Sequence, residues 1–239
     1  RDNADVCRLL PTLPRWVERG WGVRSTARQR HANVMDLYPA PLVEQIRREL
    51  LPRSWPSQDH PCVYAMVGIP AAGKSTFVQL ARARHLFPAD AYTLNPDLVM
   101  ERTPSWRRAL ARDGAESAFS EYELPARNLA YQLLDEAVAR RLSIVKDMGN
   151  VRAENLDMLD RLRKAGYHLQ LYYIHCDVSE SIRRSHEREL ATGRHTPVAM
   201  IRERADSLDR LLPGLRDIAH EFSAFDNSDL RHPFTPVMR

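Results

Sequence analysis

From Cys62 onward, hydrophobic positions fall into short continuous runs separated by longer stretches in which they recur every three or four residues. The runs are "CVYAMV" (62–67), "AYTL" (91–94), "SIVK" (143–146), "YHLQLYYIH" (167–175) and "FSAF" (222–225). Short apolar runs carrying β-branched and aromatic residues read as buried strands. The intervening spacing predicts helices over 74–85, 126–141, 153–165 and 179–190. Another is predicted to open at Thr196-Pro197, with Thr196 as N-cap and Pro197 in the first turn. Strands separated by helices pair in parallel through crossover connections. The pattern therefore predicts an α/β fold, a three-layer parallel sheet of about five strands.

Residues 1–60 follow another pattern. Tryptophans and arginines mix with prolines at Pro11, Pro14, Pro39, Pro41, Pro52 and Pro56. Within them, "LVEQIRREL" (42–50) places Leu42, Ile46 and Leu50 on one helical face. This part reads as a helical extension, 1–60, that ends in the loop "PRSWPSQDHP" and either packs on the main domain or binds a partner. The α/β domain then spans 61–239.

Between the first strand and the first helix, Gly68-Ile69-Pro70-Ala71-Ala72-Gly73-Lys74-Ser75 fits the pattern GxxxxGK[ST]. Glycines let the backbone wrap closely round phosphate oxygens, and the following helix adds the positive end of its dipole. Gly68, Ala71, Ala72 and Gly73 would cradle the phosphates and Lys74 would reach the β- and γ-phosphates. Ser75 would hold Mg²⁺, with Thr76 as a second hydroxyl. The sequence thus predicts binding of ATP or GTP with Mg²⁺. No guanine-reading NKxD and no SGGQ occurs, which leaves a compact kinase-like phosphotransferase.

Composition narrows this further. The net charge of +4 suits an anionic ligand and falls short of a dedicated nucleic-acid binder. Only Lys74, Lys146 and Lys164 among the 35 basic residues are lysines, so each lysine position is informative. The cysteines Cys7, Cys62 and Cys176 form no CxxC and read as reduced thiols of a cytoplasmic protein. No apolar run approaches the roughly 18 residues of a membrane span. The chain begins at Arg1 without a methionine and reads as a piece of something longer. The histidines show no HxxxH or HExxH spacing and read as structural or surface groups.

In an open α/β sheet, ligands sit beyond the carboxyl ends of the strands. Asp97, in "LNPDLVMER" after the second strand, could accept the proton of an attacking hydroxyl, or could equally serve the start of a helix. Asp147, closing "SIVKD", could hold the Mg²⁺ shell or a substrate hydroxyl, or form a turn with Gly149 and Asn150. Glu116, Glu121 and Glu123 in "DGAESAFSEYE" are candidate substrate contacts on a mostly solvated segment. In "SESIRRSHERELATGRHTP" (179–197), Arg184 and Arg188 share a helix face and Arg194 follows in a loop. Such arginines form a lid that neutralises charge on a transferring phosphate, whereas Arg183 reads as paired with nearby glutamates.

Taken in order, "GIPAAGKST", "NPD", "IVKD", "LRKAGYHLQLYYIHCD", "TGRHTP" and "FDNS" resemble the zeta-toxin family of P-loop kinases, relatives of polynucleotide kinase and chloramphenicol phosphotransferase. The resemblance runs from about residue 61 to 228. It implies ATP and Mg²⁺ as cofactors, Asp97 as base, Lys74, Arg184, Arg188 or Arg194 at the transferring phosphate, and Asn227 near the adenine. It also implies a nucleotide-type acceptor, in this family usually a UDP-N-acetylated hexosamine, with a dinucleotide such as NAD as the other acceptor considered. An antitoxin or inhibitory chaperone is the implied partner, and action as a toxin or delivered effector the implied role. The third strand departs from the family pattern at "KDMGNVR". A polynucleotide 5'-kinase and a non-enzymatic nucleotide-gated interaction module are the alternatives. Against the first, no basic-aromatic stripe is present beyond the lid arginines.

Overall fold

The computed structural model describes residues 37–51 and 59–237. Residues 1–36 and 52–58, which hold most of the predicted extension and its closing loop, lie outside the described residues. Five strands, β1 (Cys62–Val67), β2 (Tyr92–Leu94), β3 (Ile144–Lys146), β4 (His168–His175) and β5 (Glu221–Asp226), are parallel. A two-residue β6 (Thr235–Pro236) adds antiparallel to β5 and completes the order β2-β3-β1-β4-β5-β6. β1 lies inside the sheet and is apolar on both faces, as a doubly covered strand requires. Tyr64 and Met66 pack with Val78, Ala81 and Phe87 on one side. Val63, Ala65 and Val67, fully buried, alternate to the other.

The helices are α1 (Ala40–Leu50), α2 (Lys74–Ala83), α3 (Pro96–Glu101), α4 (Pro104–Asp113), α5 (Ala115–Ala139), α6 (Ala153–Lys164), α7 (Val178–Thr192) and α8 (Val198–Ile218). α1 buries Ile46 completely and docks on α5 through a two-pronged ion pair, Arg47 Nε and Nη2 to Glu136 at 2.7 and 2.6 Å. α6 and α8 pack on each other and on β4. No helix among the described residues is long and apolar enough to cross a membrane.

Several elements depart from the sequence pattern. α3 and α4 were not expected. Both begin on a proline in the first turn, where a missing N–H costs nothing. α5 starts at Ala115 rather than 126 and carries Pro125 inside it. α8 starts at Val198 with Pro197 as its N-cap and no side-chain cap, so Thr196 does not cap it. Its hydroxyl instead accepts from Arg188 Nη2 at 2.8 Å.

All five parallel strands point their carboxyl ends at one edge. Gly68, Asn95, Asp147, Cys176 and Asn227 are the first residues beyond them. One step inside that edge, Lys146 is fully buried and donates to Asn155 Oδ1 at 3.0 Å. Burial, then the charge of Arg127, pushes its ammonium down to about 7. A lysine that is neutral when folded but charged when unfolded makes stability rise with pH between its two pKa values. Denaturant unfolding at a series of pH values is therefore expected to show an upward slope between about pH 7 and 9, at most about 1.4 kcal/mol per pH unit from this residue. Lys146→Met should lessen that slope. An unchanged slope would mean that the folded lysine keeps its proton.

Candidate active site

The phosphate loop connects β1 to α2. Gly68 has φ +148°, and a Cβ there would lie 2.5 Å from the Ile174 carbonyl oxygen. Gly73 caps α2 with φ +95°, against the Asn227 amide. Between them the loop's carbonyls are tied back one by one. Lys74 Nζ donates to Ile69 O at 2.6 Å, Ser181 Oγ to Pro70 O at 2.5 Å and Asn227 Nδ2 to Ala72 O at 2.8 Å. The entry is fixed by Gly68 N–H to Gly149 O at 3.0 Å, and Asn150 Nδ2 holds Met66 O at 2.6 Å. The first helical bond of α2 is Phe77 N–H to Gly73 O, so the helix does not use the N–H groups of Lys74, Ser75 and Thr76. Ser75 and Thr76 are exposed there. Ala71, at φ +56°, adopts the left-handed turn despite its side chain. This constellation is an anion cradle.

Two acids face the cradle. Asp147 follows β3; burial raises its pKa, while the nearby Ser75 hydroxyl and the Lys74 ammonium draw it back down. Its Oδ2 accepts from Asn95 Nδ2 at 3.0 Å, and its Oδ1 is buried without a hydrogen-bond partner. An orphaned carboxylate oxygen near a serine hydroxyl fits Mg²⁺, a hard cation bound by one or two carboxylates plus substrate phosphates. Asp97 lies in the first turn of α3, where its N–H donates to the capping Asn95 Oδ1 at 3.0 Å. Its carboxylate is ion-paired with Arg194. Asp97 is thus a first-turn helix residue whose ion-paired carboxylate also lines a cleft.

The arginines separate. Arg194 sits just beyond Gly193, whose φ of +70° ends α7 and whose position leaves no room for a Cβ against Leu110 of α4. Arg188 is mostly buried; burial first, then the charge of Arg194, push it down to about 10, and Asp97 opposes this. Lys74 is likewise held down to about 8, by burial and by Arg194 and Arg188, with Asp147 opposing. Arg184 stands apart. Its Nε pairs with Glu180 at 2.6 Å and its Nη2 donates to Ser228 O at 3.3 Å, beyond β5. Arg183 pairs with Glu180 and Glu187.

Beside Asp97 opens a cleft of about 150 Å³, lined by Met100, Glu101, Trp106, Phe119, Arg188 and Arg194 among others. Glu116 and Glu121 are exposed on α5. Glu123 is half-buried and ion-paired with Arg127. Four residues after Phe119, it shares that residue's helix face. Arg127, Arg152 and Arg204 lie close there: burial, then repulsion from Arg204 and Arg127, lowers Arg152, and burial lowers Arg204, with Glu203 the main opposing charge on Arg204 and Glu123 and Glu154 opposing on both. Sequence reading gave no role to Asn95, Ser181, Arg152 or Arg204. The "NPD" pattern marks Asn95 as a helix cap, whereas nothing local marks Ser181 as a clamp on a loop 111 residues away.

Known proteins fit this arrangement. The Zeta toxin family model matches residues 48–227. No curated protein sequence matches the chain. Among solved structures, the chain resembles the PezAT chromosomal toxin–antitoxin system of Streptococcus pneumoniae at 14% identity and TM-score 0.63, covering 86% of this chain and 83% of that one. It also resembles AvrRxo1-ORF1:-ORF2 with ATP at 16% identity and TM-score 0.56, covering 78% of this chain and 58% of that one. These likenesses establish the shared fold. With three quarters of its length matched by the family model, the chain belongs to the Zeta toxin family and is a toxin-type, ATP-dependent P-loop phosphotransferase.

Proposed function

We propose that the chain transfers the γ-phosphate of ATP to a sugar hydroxyl of a nucleotide-type metabolite, of UDP-N-acetylglucosamine or NAD type. The observation that carries this is the convergence of Asp97, Arg188 and Arg194 on one cleft beside the phosphate loop. The cleft offers two aromatic faces and an acid to a ring bearing a hydroxyl. Near Glu123, Arg127 of α5, Arg152 before α6 and Arg204 of α8 would supply cations for the acceptor's own phosphates, with Glu123 as a partner for its polar groups. A hydroxyl at one end and phosphates at the other describe a nucleotide sugar or a dinucleotide.

In this reading Asp97 takes the hydroxyl proton as the oxygen attacks the γ-phosphorus, and the bond to the β-phosphate oxygen of ADP breaks. Lys74 holds the β- and γ-phosphates. Arg188 and Arg194 neutralise the transferring group. Ser75 and Asp147 would hold Mg²⁺, which when bound neutralises the phosphates. Arg194 must leave Asp97 to reach the phosphate, so the base is released only when nucleotide occupies the site. Arg184 and Asn227 act from behind, the first on the loop after β5 and the second on the Ala72 carbonyl. Glu116 is assigned to the solvent-facing rim. The solved neighbours are toxin–antitoxin and two-protein complexes, which supports an antitoxin or inhibitory chaperone as partner.

A phosphotransfer screen with γ-labelled ATP and mass-spectrometric identification is expected to label UDP-N-acetylglucosamine or NAD and to leave nucleosides and RNA ends unlabelled. ATP binding with no labelled acceptor would sink the proposal. Asp97→Asn should lower turnover by about 100-fold or more while nucleotide affinity does not fall. Arg194→Ala should cost about 100-fold in turnover, and Arg184→Ala under about 10-fold. Equal losses at the two arginines would contradict the division between them.

A further inference from the structure

We infer that Asn95 is a positioning residue that links the base-bearing helix to the metal-side carboxylate. The inference rests on the transfer reading above, because Asp97 and Asp147 are the groups it positions. Parallel pairing sets Leu94 opposite Lys146, so the next residues, Asn95 and Asp147, leave the sheet side by side. Asn95 is 9% exposed, and both ends of its amide are engaged. Its oxygen accepts the Asp97 N–H and its nitrogen donates to Asp147 Oδ2, each at 3.0 Å. Flipping the amide would set donor against donor and oxygen against carboxylate, so chemistry fixes the orientation.

The residue type follows from this double duty. Serine, threonine or aspartate would cap α3 about as well. Asparagine alone among good caps also reaches a neighbouring carboxylate with an N–H donor. By occupying Oδ2, it leaves Oδ1 of Asp147 as the buried oxygen without a hydrogen-bond partner. Removing the donor frees the carboxylate to rotate, and the oxygen aimed at the metal side is no longer the same one on each molecule. Residues that orient a metal-binding carboxylate typically matter 10–100-fold, about what loss of a ligand's hydrogen-bonded support costs elsewhere.

Two substitutions separate positioning from capping. Asn95→Ser keeps a capping oxygen but does not reach Asp147, and Asn95→Ala removes both contacts. Two quantities are measured: melting temperature, and the Mg²⁺ concentration needed for half-maximal binding of a fluorescent non-hydrolysable ATP analogue. Both variants are expected to need about tenfold more Mg²⁺ or beyond. Only the alanine variant should also melt lower. With an acceptor in hand, turnover should fall in both while the acceptor KM changes little. If serine restores the wild-type Mg²⁺ requirement, Asn95 is a helix cap only and the inference is overturned. The nucleotide-binding arm needs no acceptor, so it decides the role of Asn95 even if the transfer screen labels nothing.

Discussion

Too much positive charge in one place is the constraint on which the rest of this site depends. Lys74, Arg188 and Arg194 meet where the strands end, and burial together with mutual repulsion holds Lys74 and Arg188 below their ordinary pKa values. Asp147 opposes that repulsion at Lys74, Asp97 and Glu189 oppose it at Arg188, and Arg194 is ion-paired with Asp97. In the transfer proposed above, a phosphate chain would sit among these cations, and binding it would be favourable because cations already held in place cost little further reorganisation.

Holding those groups together requires support from behind. Ser181 and Asn227 clamp two loop carbonyls, Gly149 clamps the loop's first amide, and Leu110 seats the turn that carries Arg194. These ties come from α7, from the ends of β3 and β5, and from α4. Parallel crossovers are what bring such distant segments to one edge. α3, α4 and the first turns of α5 line the cleft beside Asp97.

The strand–loop–helix unit at residues 62–83 was legible because its motif dictates its geometry, and Asp97 was legible as an acid one crossover later. The parallel sheet followed from the alternation of apolar runs. Short helices were not legible: no helix was expected at Pro96 or Pro104, where two open, and Pro125 sits within a third that was expected to start only at 126. β6 pairs over two residues and carries no periodicity. Helical spacing put Arg184 and Arg188 on one face, but only tertiary structure says that Glu180 and Ser228 take the first while the cleft takes the second. Asp97 stands in a helical first turn and still faces the cleft. Gly149 and Asn150, expected to turn with Asp147, instead hold the Gly68 N–H and the Met66 carbonyl.

The central claim is that phosphate completes this charge arrangement and in doing so releases the base. A crystal structure with Mg²⁺ and a non-hydrolysable ATP analogue tests it most directly. Arg194 should be found on the γ-phosphate with Asp97 free toward the cleft, and the metal between the Ser75 hydroxyl and the Asp147 carboxylate. Arg194 still paired to Asp97 with nucleotide fully bound would contradict it.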